Sequence, residues 1–227
     1  MLFGFVLIGL AVAILLVGLH GSETIPYKVH EVPKDIDANV EKAVDIDWAS
    51  LPEGVVAWVR VPGTTIDYPV VQEDAAHLLF YLDHDMNGDY SVWGTPYIDA
   101  GCADGSESPL VIVYGHHMSD GTMFAPFAQY SDAAFAEEHQ ILYVYTQSRA
   151  YELQVFAVDV LDASVEGKQA DIADSNELQS YLDNNLSRCE VVLSEPQDIS
   201  QAWAFVTCSY ETGNSRTVVY AAEMDAN

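Results

Sequence analysis

Positive charge is scarce in this chain: 8 of its 227 residues are Lys or Arg against 35 Asp and Glu, a formal net charge of −27. That balance argues strongly against a nucleic-acid partner, because phosphate contacts are made by Lys and Arg. It also disfavours binding to an anionic lipid surface. The acidity itself reads as a solvated surface that aids solubility, and it names no substrate. Cysteine is sparse too, with Cys102, Cys189 and Cys208 making an odd total. A Cys102–Cys189 bridge would leave Cys208 as the free thiol, but nothing in the sequence brings the first two together, and two separate structural thiols are the expectation. His77, His84 and His139 are scattered without metal-ligand spacing to any cysteine and are expected at the surface. Internal repeats and low-complexity tracts are absent.

What is present is enough apolar residue, 50% of the chain, for one substantial core. Residues 2–19 are apolar or Gly without a charge, at the lower limit for crossing a bilayer. A basic n-region and a small-residue cleavage site are both missing near His20-Gly21-Ser22, so residues 1–20 are expected to be an uncleaved transmembrane anchor. The first basic residue is Lys28, so charge does not orient the segment; a short cytoplasmic basic stretch ahead of Met1 is the expectation. Residues 21–38, polar and carrying Pro26 and Pro33, read as a linker. The remaining 39–227 reads as one domain. Val40, Ala43, Val44 and Trp48 predict a short amphipathic helix within 39–51.

From Val55 onward β-type runs dominate: 55–61, 66–71, 110–114, 141–146, 151–161, 191–194, 203–208 and 217–223. Short strands punctuated by Gly, Pro and Asp predict a mainly β fold, a closed or nearly closed barrel in preference to βαβ units. Ile172, Leu178, Tyr181, Leu182 and Leu186 mark a helix within 170–187.

The chemistry is concentrated at two strand ends. The run 202–209 and the run from Arg216 flank a turn and read as an antiparallel pair, with Cys208 closing the first strand and Arg216 opening the second. A thiol beside a fixed positive charge is favoured as the nucleophilic thiolate. Upstream, Leu110-Val111-Ile112-Val113-Tyr114 runs into Gly115-His116, which places an imidazole on a loop at a strand end. The neighbouring His117 is the competing assignment. A rival motif is Asp83-His84-Asp85-Met86-Asn87-Gly88-Asp89, which matches the opening of an EF-hand loop; its twelfth position is Gly94 where a bidentate Glu is needed, so a surface turn is expected.

Together, Tyr114-Gly115-His116 with Met118, Gly121-Thr122-Met123-Phe124, Thr207-Cys208-Ser209-Tyr210 and Arg216 resemble the sortases, class B in particular. The segments 58–72 and Tyr81-Leu82-Asp83-His84-Asp85 extend the likeness, which spans roughly 48–223. The resemblance implies a closed eight-stranded β-barrel with an N-terminal helix and a helix in the long loop before the penultimate strands, walling the substrate groove. It implies that His116, directly after Gly, is the catalytic imidazole and that His117 lines the rim. Cys208 is then the nucleophile toward a sorting-signal Thr, His116 the acid and base, and Arg216 the donor to the substrate oxygen. Leu82, Val206 and Thr207 match peptide-contacting positions in relatives. No cofactor enters this scheme. The implied partners are surface proteins with a C-terminal sorting motif and an amine acceptor on peptidoglycan or a pilin, with the catalytic domain outside a single-pass membrane anchor. A carboxylate to orient His116 is not identifiable, since Tyr210 and Glu211 follow Cys208 where some relatives carry an acid.

Two other readings remain. An L,D-transpeptidase-like cross-linker would also use Cys and His, but its Ser-x-Gly-Cys-Arg type of motif is absent, since Arg216 is not adjacent to Cys208. A non-catalytic adhesion domain predicts an inert thiol and leaves the joint placement of Cys208, His116 and Arg216 unexplained.

Overall fold

Val, Ile, Tyr and Phe fall in short apolar runs bounded by Gly, Pro and Asp, and the pleated strand is the conformation that packs such side chains on neighbours. A computed structural model describes residues 46–162, 171–209 and 214–224. The strands among them are β1 (Val55–Arg60), β2 (Asp67–Gln72), β3 (Tyr97–Ile98), β4 (Leu110–Tyr114), β5 (Ile141–Thr146), β6 (Ala150–Asp162), β7 (Val191–Val192), β8 (Ala202–Ser209) and β9 (Ser215–Ala222).

Eight of them close a barrel in the order β1-β2-β3-β4-β8-β9-β6-β5, with β5 pairing back to β1. The membership differs from the sequence reading in two places. The two-residue β3, too short to leave a periodic signal, bridges β2 and β4. The expected 191–194 strand is only Val191–Val192 and lies outside the ring. Its position follows from the length of β6: the first part of one β6 edge pairs with β5 and a later part with β7, while β9 runs along the other edge.

Strand alternation on β8 separates two faces. Trp203, Phe205 and Thr207 point one way, and Ala204, Val206 and Cys208 the other. Phe205 stacks on Trp203 at 6.2 Å and on Phe127 at 5.1 Å between ring centroids. Phe127 comes from a 3-10 segment, Ala125–Ser131, that packs on β8 and β9. Truncating one of these buried aromatics to Ala typically costs about 3–5 kcal/mol.

Two α-helices complete the described residues: α1 (Ala133–Glu138) and α2 (Ser175–Leu186). Each is started by an aspartate whose carboxylate accepts two backbone N–H groups, Asp132 for α1 and Asp174 for α2. Helix α2 buries Leu178 and Leu182, and its Tyr181 hydroxyl meets that of Tyr220 on β9 at 3.1 Å. At its exit Arg188 donates to the buried carboxylate of Asp159 at 2.8 Å. Desolvation nevertheless holds Asp159 above the usual carboxylate range, and the Arg188 bond only partly opposes it.

The expected anchor at 1–20 and linker at 21–38 lie outside the described residues. So does most of the expected 39–51 helix, of which the described part holds a single 3-10 turn, Trp48–Ser50. Among the described residues no helix is long and apolar enough to cross a membrane.

Candidate active site

The site begins with a register. In the β8–β9 ladder Cys208 stands directly opposite Arg216, Val206 opposite Val218 and Ala204 opposite Tyr220. Val206 and Cys208 turn their carbonyls away from β9: the first accepts from Gly115 N–H at 3.1 Å, the second from His117 Nδ1 at 2.8 Å. Cys208 and Arg216 are therefore a non-hydrogen-bonded antiparallel pair, the type whose side chains approach most closely, with Cα atoms about 4.5 Å apart. Both side chains are half-buried, and Arg216 Nη1 also donates to the Ser215 carbonyl at 3.1 Å.

On its other edge β8 pairs in parallel with β4, ending at Tyr114 opposite Val206. Parallel register carries Gly115 and His116 to the level of Thr207 and Cys208. The chain can turn there only as glycine, because a Cβ on residue 115 would lie 2.5 Å from the buried Phe124 ring. Thr207 Oγ1 donates to the Gly115 carbonyl at 3.0 Å and pins the turn.

His116 Nε2 lies 2.6 Å from the Leu82 carbonyl oxygen. A carbonyl only accepts, so Nε2 carries the hydrogen and Nδ1 is the nitrogen left to exchange a proton. Leu82 ends a 3-10 turn, Phe80–Leu82. Gly94, at φ 60, comes so close to this turn that a Cβ would be 2.4 Å from the Tyr81 oxygen and 2.7 Å from the Leu82 oxygen. The twelfth residue of the EF-hand-like stretch is thus glycine for a steric reason. Within that stretch Asp85 spends one carboxylate oxygen on the N–H groups of Asn87 and Asp89, so the loop caps itself as the expected surface turn.

Cys208, His116 and Arg216 open on one cleft of about 310 Å³, walled by Leu79, Leu82, Tyr97, Tyr114 and Val206. An apolar cleft with a few convergent polar groups is the usual form of a binding site. The three residues expected to bind substrate all border it. Val206 and Leu82 belong to its apolar wall, whereas Thr207 is buried with its hydroxyl already given to Gly115. Sequence reasoning missed Leu79, Tyr97 and Tyr114: Tyr97 sits on the unforeseen β3, and Leu79 is in a loop without periodicity. Helix α2 meets β9 at Tyr220, four residues along the strand from Arg216, and none of its residues lines the cleft. Two larger cavities, of about 590 and 450 Å³, include none of the candidate residues.

Several other expectations can be placed. His117, expected at the rim, is half-buried and tied to the Cys208 carbonyl. His77 is exposed, but His84 stacks on Phe80 and donates from Nδ1 to the Phe80 carbonyl, and His139 lies against Phe135, so these two are structural. All three cysteines are free of disulfides. Burial pushes the Cys102 thiol up to about 11 and the Cys189 thiol up to about 12, which keeps both protonated and unreactive at neutral pH. Among the described residues no cluster of His, Cys, Asp or Glu could hold a metal ion.

The family model described as "Sortase domain" matches residues 59–224. Sortase B of Staphylococcus aureus is 29% identical over 129 residues, 57% of this chain and 52% of that protein. Sortase B of Listeria monocytogenes is 26% identical over 136 residues, 60% of this chain and 54% of that protein. The matched region therefore spans about half the length of these curated relatives. Among solved structures, Clostridium perfringens sortase B superposes with a TM-score of 0.67 at 26% identity, covering 76% of this chain and 94% of that one. Sortase B of Bacillus anthracis, in complex with AAEK1, gives a TM-score of 0.63 at 26% identity, covering 74% of this chain and 78% of that one.

Proposed function

The chain belongs to the sortase family, class B, and from that membership we propose that it is a cysteine transpeptidase that joins sorting-signal proteins to an amine acceptor. The observation that carries the reading is the direct pairing of Cys208 with Arg216 across β8 and β9, in the cleft that His116 also enters.

In the proposed reaction the Cys208 thiolate attacks the carbonyl carbon of the sorting-signal Thr. The carbonyl electrons move to oxygen, and the Arg216 guanidinium, level with the thiol, donates to that oxyanion. The tetrahedral centre collapses as the C–N bond breaks, and protonated His116 gives its Nδ1 proton to the departing amine. A thioester remains on Cys208. The acceptor amine attacks this thioester, loses a proton to His116 Nδ1, and expels the thiolate as the new amide forms. Charge and protons return to their starting places, and no cofactor takes part.

The Leu79, Leu82 and Val206 wall suits an extended peptide with apolar side chains beside the reacting Thr. In this proposal residues 2–19 anchor the chain in the cell membrane with the barrel outside, and the acceptor is a peptidoglycan or pilin amine. The test is to incubate the full chain with fluorogenic peptides of the Asn-Pro-x-Thr and Leu-Pro-x-Thr types beside Cys208→Ala. Cleavage after Thr that disappears in the variant supports the reading; cleavage that survives it removes Cys208 as the nucleophile and the proposal with it.

A further inference from the structure

Two adjacent imidazoles leave the end of β4 for two different carbonyls. His116 donates to Leu82, and His117 donates from Nδ1 to Cys208 at 2.8 Å, across 91 residues of sequence. The proposed chemistry uses the first and has no task for the second.

The position of His117 shows what its side chain joins. The main-chain bonds between β4 and β8 end with Gly115 N–H on the Val206 carbonyl. Past that point the loop turns away from β8: the His116 carbonyl accepts from Phe124 N–H at 2.8 Å, and His117 bridges to Met123. The Cys208 carbonyl is two residues further along the same edge as that of Val206. The His117 ring reaches it from the departing loop, one rung past the Gly115–Val206 bond.

We propose that His117 is a positioning residue for the reaction. Its bond ties the backbone of the nucleophile to the loop that carries the general acid, so the Cys208 sulfur and the His116 ring keep a fixed separation while substrate enters and leaves. This rests on the transpeptidase reading above. The pairing is effective because the loop is itself held at Leu82: the two donors brace residues 116–117 between the 80–82 turn and the end of β8. Displacement of one reacting group by about 1 Å can cost on the order of 10²-fold in rate, so a single tether here has leverage.

Two variants of the full chain test this. In His117→Asn the side-chain amide nitrogen is as many bonds from the backbone as Nδ1 and can still donate; His117→Leu cannot. The expected result is that kcat for a cleaved sorting peptide falls roughly 10–100-fold in His117→Leu with KM little changed, while His117→Asn stays near wild type. The pH profile of Cys208 alkylation by iodoacetamide is expected to shift in the Leu variant only. Wild-type kcat in His117→Leu, or an equal loss in both variants with wild-type melting behaviour, overturns the proposal. Should His117→Leu fail to fold, the Asn variant decides alone: near wild-type kcat upholds the tether, and a large loss in a normally melting protein overturns it. If the wild type cleaves no peptide, the transpeptidase reading fails separately, and an alkylation profile unchanged in His117→Leu still overturns the tether.

Discussion

His116 Nε2 donates to the Leu82 carbonyl at 2.6 Å, so the orientation of the candidate acid and base is set by a turn that precedes it by 34 residues. No carboxylate is needed for this. A main-chain oxygen fixes the ring and its tautomer, which accounts for a site in which no acid to orient His116 can be named from sequence.

The same contact makes Gly94 a sensitive position. A methyl group there would collide with the Tyr81 and Leu82 oxygens and would also occupy a left-handed backbone region that costs an L-residue about 1–2 kcal/mol. Gly94→Ala is expected to lower kcat more than tenfold by displacing the Leu82 oxygen, and to lower stability by about 1–3 kcal/mol. Steady-state kinetics beside urea unfolding checks both; a variant destabilised but fully active would show that the Leu82 contact is dispensable.

Arg216 is expected to act through the geometry of its guanidinium as well as its charge. Arg216→Ala should reduce kcat by about 10²–10³-fold, the usual loss for an oxyanion donor. Arg216→Lys should recover little, because a point charge does not reproduce the planar fork of donors. Full activity in the Lys variant would reduce the role of Arg216 to charge alone.

The three thiols should separate cleanly by reactivity. With Cys102 pushed up to about 11 and Cys189 to about 12 by burial, alkylation of the native protein at neutral pH is expected to label Cys208 alone. Peptide mass spectrometry reads this directly, and denaturant should expose all three. Early labelling of Cys189 would contradict the burial described for it.

Burial also sets the response to alkali. Besides the two thiols, whose ordinary value is 9.0, Tyr151 is raised from 10.0 to about 12, and Tyr130 and Tyr220 are raised too, in each case chiefly by desolvation. The folded chain therefore holds protons that the unfolded chain releases. Since these values are raised on folding, their contribution is complete below about pH 9 and is lost as pH climbs through the folded values. Thermal melting followed from neutral pH to about pH 11 should fall steadily beyond the ordinary thiol range; a flat profile would mean that these groups are not buried in solution.

Much of the architecture was legible because periodicity and punctuation are local. The runs that became β1, β2, β4, β5, β6, β8 and β9 are rich in β-branched and aromatic residues over five or more positions, and α2 carries its apolar stripe between Asp174 and Ser187. Strand β3 was not legible: two residues cannot show a period, and Tyr97 and Ile98 are strand only because β2 and β4 stand on either side. The site divides in the same way. Cys208, Arg216 and His116 could be picked out because each ends, opens or follows a recognisable strand in a motif of fixed order.

By itself the sequence determined most of the strand runs, the chemical identity of the three candidate groups, and the scarcity of positive charge for nucleic acid. Their assembly required the parallel pairing of β4 with β8, which sets Gly115 and His116 level with Cys208 across some 90 residues of chain. It also required two carbonyls, those of Leu82 and Cys208, to meet two neighbouring imidazoles. Every residue carries a carbonyl, so no side-chain pattern can mark the one that matters, and only the packed barrel decides which oxygen faces which ring.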